Sequence, residues 1–97
     1  MRVSLTALAE SELVEGGLYY ARQANAELGL AFISEFERSI KLLLTHPKLG
    51  TVWRGHARRL PLRRFPYSII YEFREAEVRV IALAHQRRKP GYWKARG

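Results

Sequence analysis

Residues 67–85, YSIIYEFREAEVRVIALAH, decide the fold. Two runs rich in β-branched and aromatic residues, Tyr67 to Phe73 and Val78 to Ala84, flank the polar tetrapeptide Arg74-Glu75-Ala76-Glu77, which is the pattern of a β-hairpin. Alternation puts Tyr67, Ile69, Tyr71 and Phe73 on one face of the first strand and Ser68, Ile70 and Glu72 on the other. On the second strand Val78, Val80, Ala82 and Ala84 oppose Arg79, Ile81, Leu83 and His85. Neither face is fully polar, so helices are expected to cover one side of this sheet, with the other partly sheltered.

Upstream, Arg59-Leu60-Pro61-Leu62 reads as another strand, which Pro61 restricts to a sheet edge or a strand end. Before it the period changes from two to that of a helix. Leu28, Phe32, Phe36, Ile40 and Leu44 fall at successive i+4 steps and Ile33 and Leu43 widen the stripe. Asn25 is the expected N-cap, and His46-Pro47 ends the helix because proline disfavours the α conformation before it. An earlier stripe, Ala9, Leu13, Gly17, Tyr20 and Ala24, predicts a helix over 7–23 with Thr6 as its cap and with Glu10, Glu12, Glu15 and Arg22 on its other faces. Gly16-Gly17 inside it costs about 1 kcal/mol per glycine relative to alanine, which points to a tight helix–helix crossing. Arg2 to Leu5 alternates like a short strand. The order β-α-α-β-β-β predicts an α+β fold: one domain over 1–97, with a two-helix hairpin (about 7–46) packed on a small, mainly antiparallel sheet (about 57–85) and a basic tail (86–97).

Composition narrows the chemistry. The chain has 97 residues, no cysteine and a formal net charge of +8. Disulfides and thiolate metal sites are excluded, as is a triad that needs Asp, since every acid is Glu. His46, His56 and His85 are too scattered to indicate a metal, and no cofactor motif is present. With neither a signal-like apolar run nor the ~20 apolar residues of a membrane span, the expected location is the cytoplasm, away from membranes.

The charge is uneven. Residues 1–50 carry five Lys/Arg and six Glu, whereas 51–97 carry twelve Lys/Arg and three Glu. The candidate binding surface is Arg58, Arg59, Arg63, Arg64, Arg87, Arg88 and Lys89, with Tyr92 and Trp93 as stacking rings beside the charge. These arginines flank strands that pair, so antiparallel pairing is expected to gather guanidiniums on one edge for an anionic partner, nucleic acid or acidic protein. The competing reading is structural: arginine stems lie over the sheet while Tyr92-Trp93 fills a core edge.

Ala9-Glu10-Ser11-Glu12-Leu13 with Tyr20, the Phe32…Phe36…Ile40…Leu43 stripe and His46-Pro47-Lys48-Leu49-Gly50 resemble the helical half of the RelE/ParE superfamily, the plasmid-stabilisation toxins of type II toxin–antitoxin systems. Arg59-Leu60-Pro61-Leu62-Arg63-Arg64-Phe65-Pro66-Tyr67-Ser68-Ile69-Ile70-Tyr71 and His85-Gln86-Arg87-Arg88-Lys89-Pro90-Gly91-Tyr92-Trp93 are similar to the signatures of its ParE-like branch. The resemblance implies a toxin neutralised by a cognate antitoxin, whose acidic C-terminal segment fills the helical-hairpin groove and adds to the sheet. It also implies one of two targets: DNA gyrase for ParE-like members, or mRNA cut at the ribosome for RelE-like ones. An inactive remnant that only holds its antitoxin is a third outcome. The RelE nuclease residues correspond to Arg59, Pro61, Ser68, Arg87 and Tyr92 or Trp93, so two of its cations are replaced by Pro61 and Ser68. An enzyme built on this chain would draw on Arg59, His85, Arg87 and Tyr92, with His85 as the acid–base group.

Overall fold

In the computed structural model, which describes residues 1–86, the chain runs β1 (Arg2–Leu5), α1 (Ala7–Gln23), α2 (Ala26–Thr45), β2 (Thr51–Arg54), β3 (Ala57–Pro61), β4 (Tyr67–Arg74) and β5 (Glu77–His85). Both expected caps start their helices: Thr6 Oγ1 accepts the Ala9 N–H at 3.1 Å and Asn25 Oδ1 accepts the Leu28 N–H at 2.8 Å. The helices pack antiparallel where three glycines meet. A β-carbon on Gly29 would stand 2.7 Å from the Gly17 carbonyl oxygen, and one on Gly16 would stand 2.6 Å from the Phe32 ring. The tight crossing expected from Gly16-Gly17 is therefore present, with Gly29 as its other half.

The hairpin covers one face of a five-stranded sheet of order β1-β5-β4-β3-β2. Among the described strands, only the β1–β5 pair is parallel. This is the expected helical hairpin on a mainly antiparallel sheet, with β2 as a strand not anticipated. Thr51-Val52-Trp53-Arg54 is four residues long and its pairing with β3 is bulged, too short a run for alternation to register. The main core lies between the layers: Ala9 from α1 and Phe32, Phe36, Ile40 and Leu43 from α2 meet Ile69, Tyr71, Val78, Val80 and Leu83. On the other face Ala57, Ile70, Ile81 and Ala82 form a second cluster, with Trp53, Leu8 and Ala84 at its margin.

Simple alternation fails in β5. Ile70 pairs with Ala82 but Tyr71 pairs with Val80, so Ile81 is an extra, bulged residue. Beyond it the faces exchange. Val78 and Val80 share the helix face with Leu83 rather than with Ala82 and Ala84, correcting the assignment made from period two.

The β4–β5 loop is tighter than the tetrapeptide expected: Glu75 (φ 51°) and Ala76 (φ 60°) form a two-residue turn with both residues left-handed. That geometry belongs to Asn-Gly, and each ordinary residue held there is strained by about 1 kcal/mol. Replacing Glu75→Asn together with Ala76→Gly, both exposed, should raise stability by about 1–2 kcal/mol in urea unfolding with an unchanged fold.

Candidate functional site

Of the basic set, Arg58, Arg59, Arg63 and Arg64 fall within the described residues; Arg87, Arg88, Lys89, Tyr92 and Trp93 lie outside them. The four do not converge on one edge. Adjacent residues of a strand point to opposite faces, and Arg58 and Arg59 do so here.

Arg58 pairs with Tyr71 on the helix face and its Nη1 donates to the carbonyls of Gly50 at 2.8 Å and Lys48 at 3.2 Å. The Tyr71 hydroxyl sits beside it, donating to the Pro47 carbonyl at 2.8 Å and accepting the Gly50 N–H at 2.9 Å. Burial pushes the Tyr71 phenol upward, with the Gly50 N–H and the Arg58 charge opposing that shift. Together these groups bind the loop between α2 and β2 to the sheet, so Arg58 is a fastener. On the opposite face, Arg59 Nε donates to Ser68 Oγ at 3.2 Å, two residues away from the Pro61–Ser68 pairing.

Arg63 and Arg64 occupy the loop joining β3 to β4. Its ends are sunk: Leu62 and Phe65 are buried, and Phe65 meets Tyr20 and Phe32 with ring centroids 5.0 and 5.2 Å apart. The backbone is tied by Leu62 N–H to Tyr67 O, Tyr67 N–H to Phe65 O and Gln86 N–H to Pro66 O, each at 2.8 Å. Glu35 of α2 adds a clasp. Its Oε2 accepts the Arg63 N–H at 2.7 Å, while Arg38 donates to both carboxylate oxygens at 2.8 Å. Arg38 chiefly, then the Arg63 N–H and Ser39, hold this carboxyl below the usual carboxylate range against a burial effect of opposite sign.

His85 ends β5 on the helix face, edge-on to Tyr67 with centroids 4.9 Å apart. It borders a groove of about 210 Å³ lined by Glu12, Glu15, Gly16, Tyr19, Tyr67 and Leu83. Because Arg59 stands on the other face, the sheet separates the two described members of the candidate enzymatic set. Glu12, expected on a solvent face, is buried and its Oε1 accepts the Leu83 N–H at 3.0 Å. The signal was its spacing: 9, 12 and 16 form one helical stripe, and Ala9 and Gly16 are both buried. His46 caps α2, His56 lies in the β2–β3 turn, and no group of His, Cys, Asp or Glu among the described residues is arranged to hold a metal. None of the described helices is long and apolar enough to cross a membrane.

The family model of the ParE toxin of type II toxin–antitoxin systems, parDE, matches residues 3–90. The chain belongs to the ParE toxin family. Its fold is similar to that of a chain from a chromosomal ParDE TA system of P. aeruginosa, with TM-score 0.76 and 19% sequence identity over 88% of this chain and 95% of that one. No curated protein matches the sequence. A ParE toxin is thus the setting in which these arginines act, and two of the four described are fixed by internal acceptors.

Two expectations follow. Arg58→Ala should lower stability by about 1–2 kcal/mol, because two loop carbonyls lose their donor, whereas Arg59→Ala, at an exposed position, should stay within about 0.5 kcal/mol; equal losses in urea unfolding would contradict the fastener role. Glu35→Gln should destabilise by about 1 kcal/mol at neutral pH. Since the folded-state pKa of Glu35 is depressed, its contribution is present above the ordinary value of 4.5 and is lost as pH falls through the lowered one. The gap between parent and variant should therefore close with acidification below about pH 4.5, and a pH-independent gap would refute the assignment.

Proposed function

We propose that this ParE-family toxin arrests growth by binding DNA gyrase and is neutralised by a cognate antitoxin carrying an acidic segment. The carrying observation is the layout around Arg59. The two positions at which the RelE resemblance calls for further cations hold Pro61, an exposed strand end, and Ser68, buried and accepting from Arg59. His85, the acid–base candidate, projects from the opposite face, beside Tyr67. Phosphodiester cleavage needs a base, an acid and cationic stabilisation around one phosphate. Groups split by a sheet do not supply that, whereas a binding toxin needs only a surface. Neutralisation by an acidic segment is supported by the concentration of positive charge beyond residue 50.

Induction of the chain alone should stop growth and raise the DNA-damage response, and the purified protein should inhibit supercoiling by gyrase. Supercoiling that proceeds normally at a molar excess of toxin would remove the gyrase reading. Primer extension on translated mRNA reads the alternative, because ribosome-dependent cleavage leaves cut transcripts and gyrase inhibition leaves them whole.

A further inference from the structure

Arg63 and Arg64 differ from the other arginines of the described chain. Arg38 is held by Glu35, Arg58 by loop carbonyls, Arg59 by Ser68, Arg54 lies over the Trp53 ring at 4.5 Å, and Arg74 approaches Glu72 at 3.9 Å. The Arg63 and Arg64 guanidiniums have no hydrogen-bond or ion-pair partner among the described residues; Arg64 only overhangs the Phe65 ring at 5.7 Å. Arg2, Arg22 and Arg79 are exposed too, but each stands alone on its element.

The backbone beneath the pair is fixed. Arg64 is left-handed at φ 70°, a conformation that costs a side-chain-bearing residue about 1 kcal/mol or more and persists only where the surroundings impose it. Leu62 and Phe65 impose it from the core side, the Glu35 carboxylate from α2, and the Gln86 N–H, donating to the Pro66 carbonyl, from the end of β5. Two consecutive exposed arginines are thus presented on a rigid platform, so little ordering is needed when an anion arrives.

We infer that the Arg63-Arg64 loop is a receptor for carboxylates of an acidic peptide. A guanidinium fork matches a carboxylate bidentately, and two forks fit two neighbouring acidic side chains. A nucleic-acid backbone is a longer track of charge whose affinity grows with each phosphate neutralised. The described loop offers two free cations, enough for two neighbouring carboxylates but a short stretch of such a track. The assignment rests on the antitoxin reading only for the natural source of the peptide.

The test is a fluorescence-anisotropy titration of the full chain with labelled hexaglutamate, with hexaglutamine and the oligonucleotide (dT)6 as comparators. Arg63→Ala and Arg64→Ala should each weaken hexaglutamate binding about fivefold and the double variant more than about tenfold, as expected for exposed charge-assisted contacts. Arg79→Ala, on β5 towards the opposite end of the sheet, should change it less than about twofold. Arg63→Lys with Arg64→Lys should fall between parent and double alanine variant, because charge remains while the forks are lost. Undiminished hexaglutamate binding by the double variant, with its near-ultraviolet dichroism intact, overturns the assignment. So does a loss confined to (dT)6, which would give the loop to phosphates. Neither gyrase nor antitoxin enters the measurement, so a failed supercoiling assay leaves this result standing and the reverse holds as well.

Discussion

A hydrogen atom in place of a side chain at position 29 is the constraint from which the rest of the layering follows. Gly29 faces the Gly17 carbonyl too closely for a β-carbon, and the same approach sets Phe32, one turn on, against Gly16. Phe32 is fully buried there and meets the rings of Tyr20, Phe65 and Tyr67. The pairs with Phe65 and Tyr67 are edge-to-face, a geometry that adds about 0.5–1.5 kcal/mol each beyond the area buried. The three glycines forfeit helix propensity, and the ring cluster compensates. Because Phe65 belongs to that cluster, close helix packing also fixes the loop that carries Arg63 and Arg64.

Polar groups complete the joint between the layers. β1 pairs with β5 only from Arg2–Glu77 to Leu5–Val80, so β5 runs on without a strand neighbour on that edge. Two side chains flanking or within α1 take over. Thr6 Oγ1 donates to the Ile81 carbonyl at 2.6 Å while capping its own helix, and Glu12 accepts the Leu83 N–H. A bulged strand edge left bare is a template for pairing with another chain, and backbone groups buried without partners cost about 1–3 kcal/mol each. Thr6 and Glu12 answer both demands. Glu35 and Tyr71 do the corresponding work at the β3–β4 loop and the α2–β2 loop.

What was legible in the sequence followed from periodicity and local chemistry. The Leu28-to-Leu44 stripe, the caps Thr6 and Asn25 and the pairing of β4 with β5 as a hairpin are properties of neighbouring residues, and each is present, the hairpin with a tighter turn than expected. Features that depend on a partner strand were not legible. The Ile81 bulge exists only relative to β4, and it moves Leu83 and His85 to the face that uninterrupted alternation denies them. β2 is a strand because β3 pairs with it, and four residues carry no period of their own. Glu12 was misplaced because its charge outweighed its spacing, although a carboxylate one turn from Ala9 and Gly16 sits on the buried stripe. For the candidate site, composition counted the arginines but could not say which way each points.

Direction is what converts a charge count into a surface. A guanidinium bound to an internal acceptor has its orientation set by that bond, and turning it fully onto a partner means breaking the bond first. Arg58 and Arg59 are of this kind, so the excess charge beyond residue 50 overstates the binding capacity of β3. Arg63 and Arg64 are of the other kind, on a backbone held in an unfavourable conformation by its anchors. A toxin that must be recognised by a partner without first reorganising gains from such a division. Under the proposed reading, Arg58 holds the fold together whether or not a partner is bound, and Arg63 and Arg64 would meet that partner without first leaving an internal acceptor.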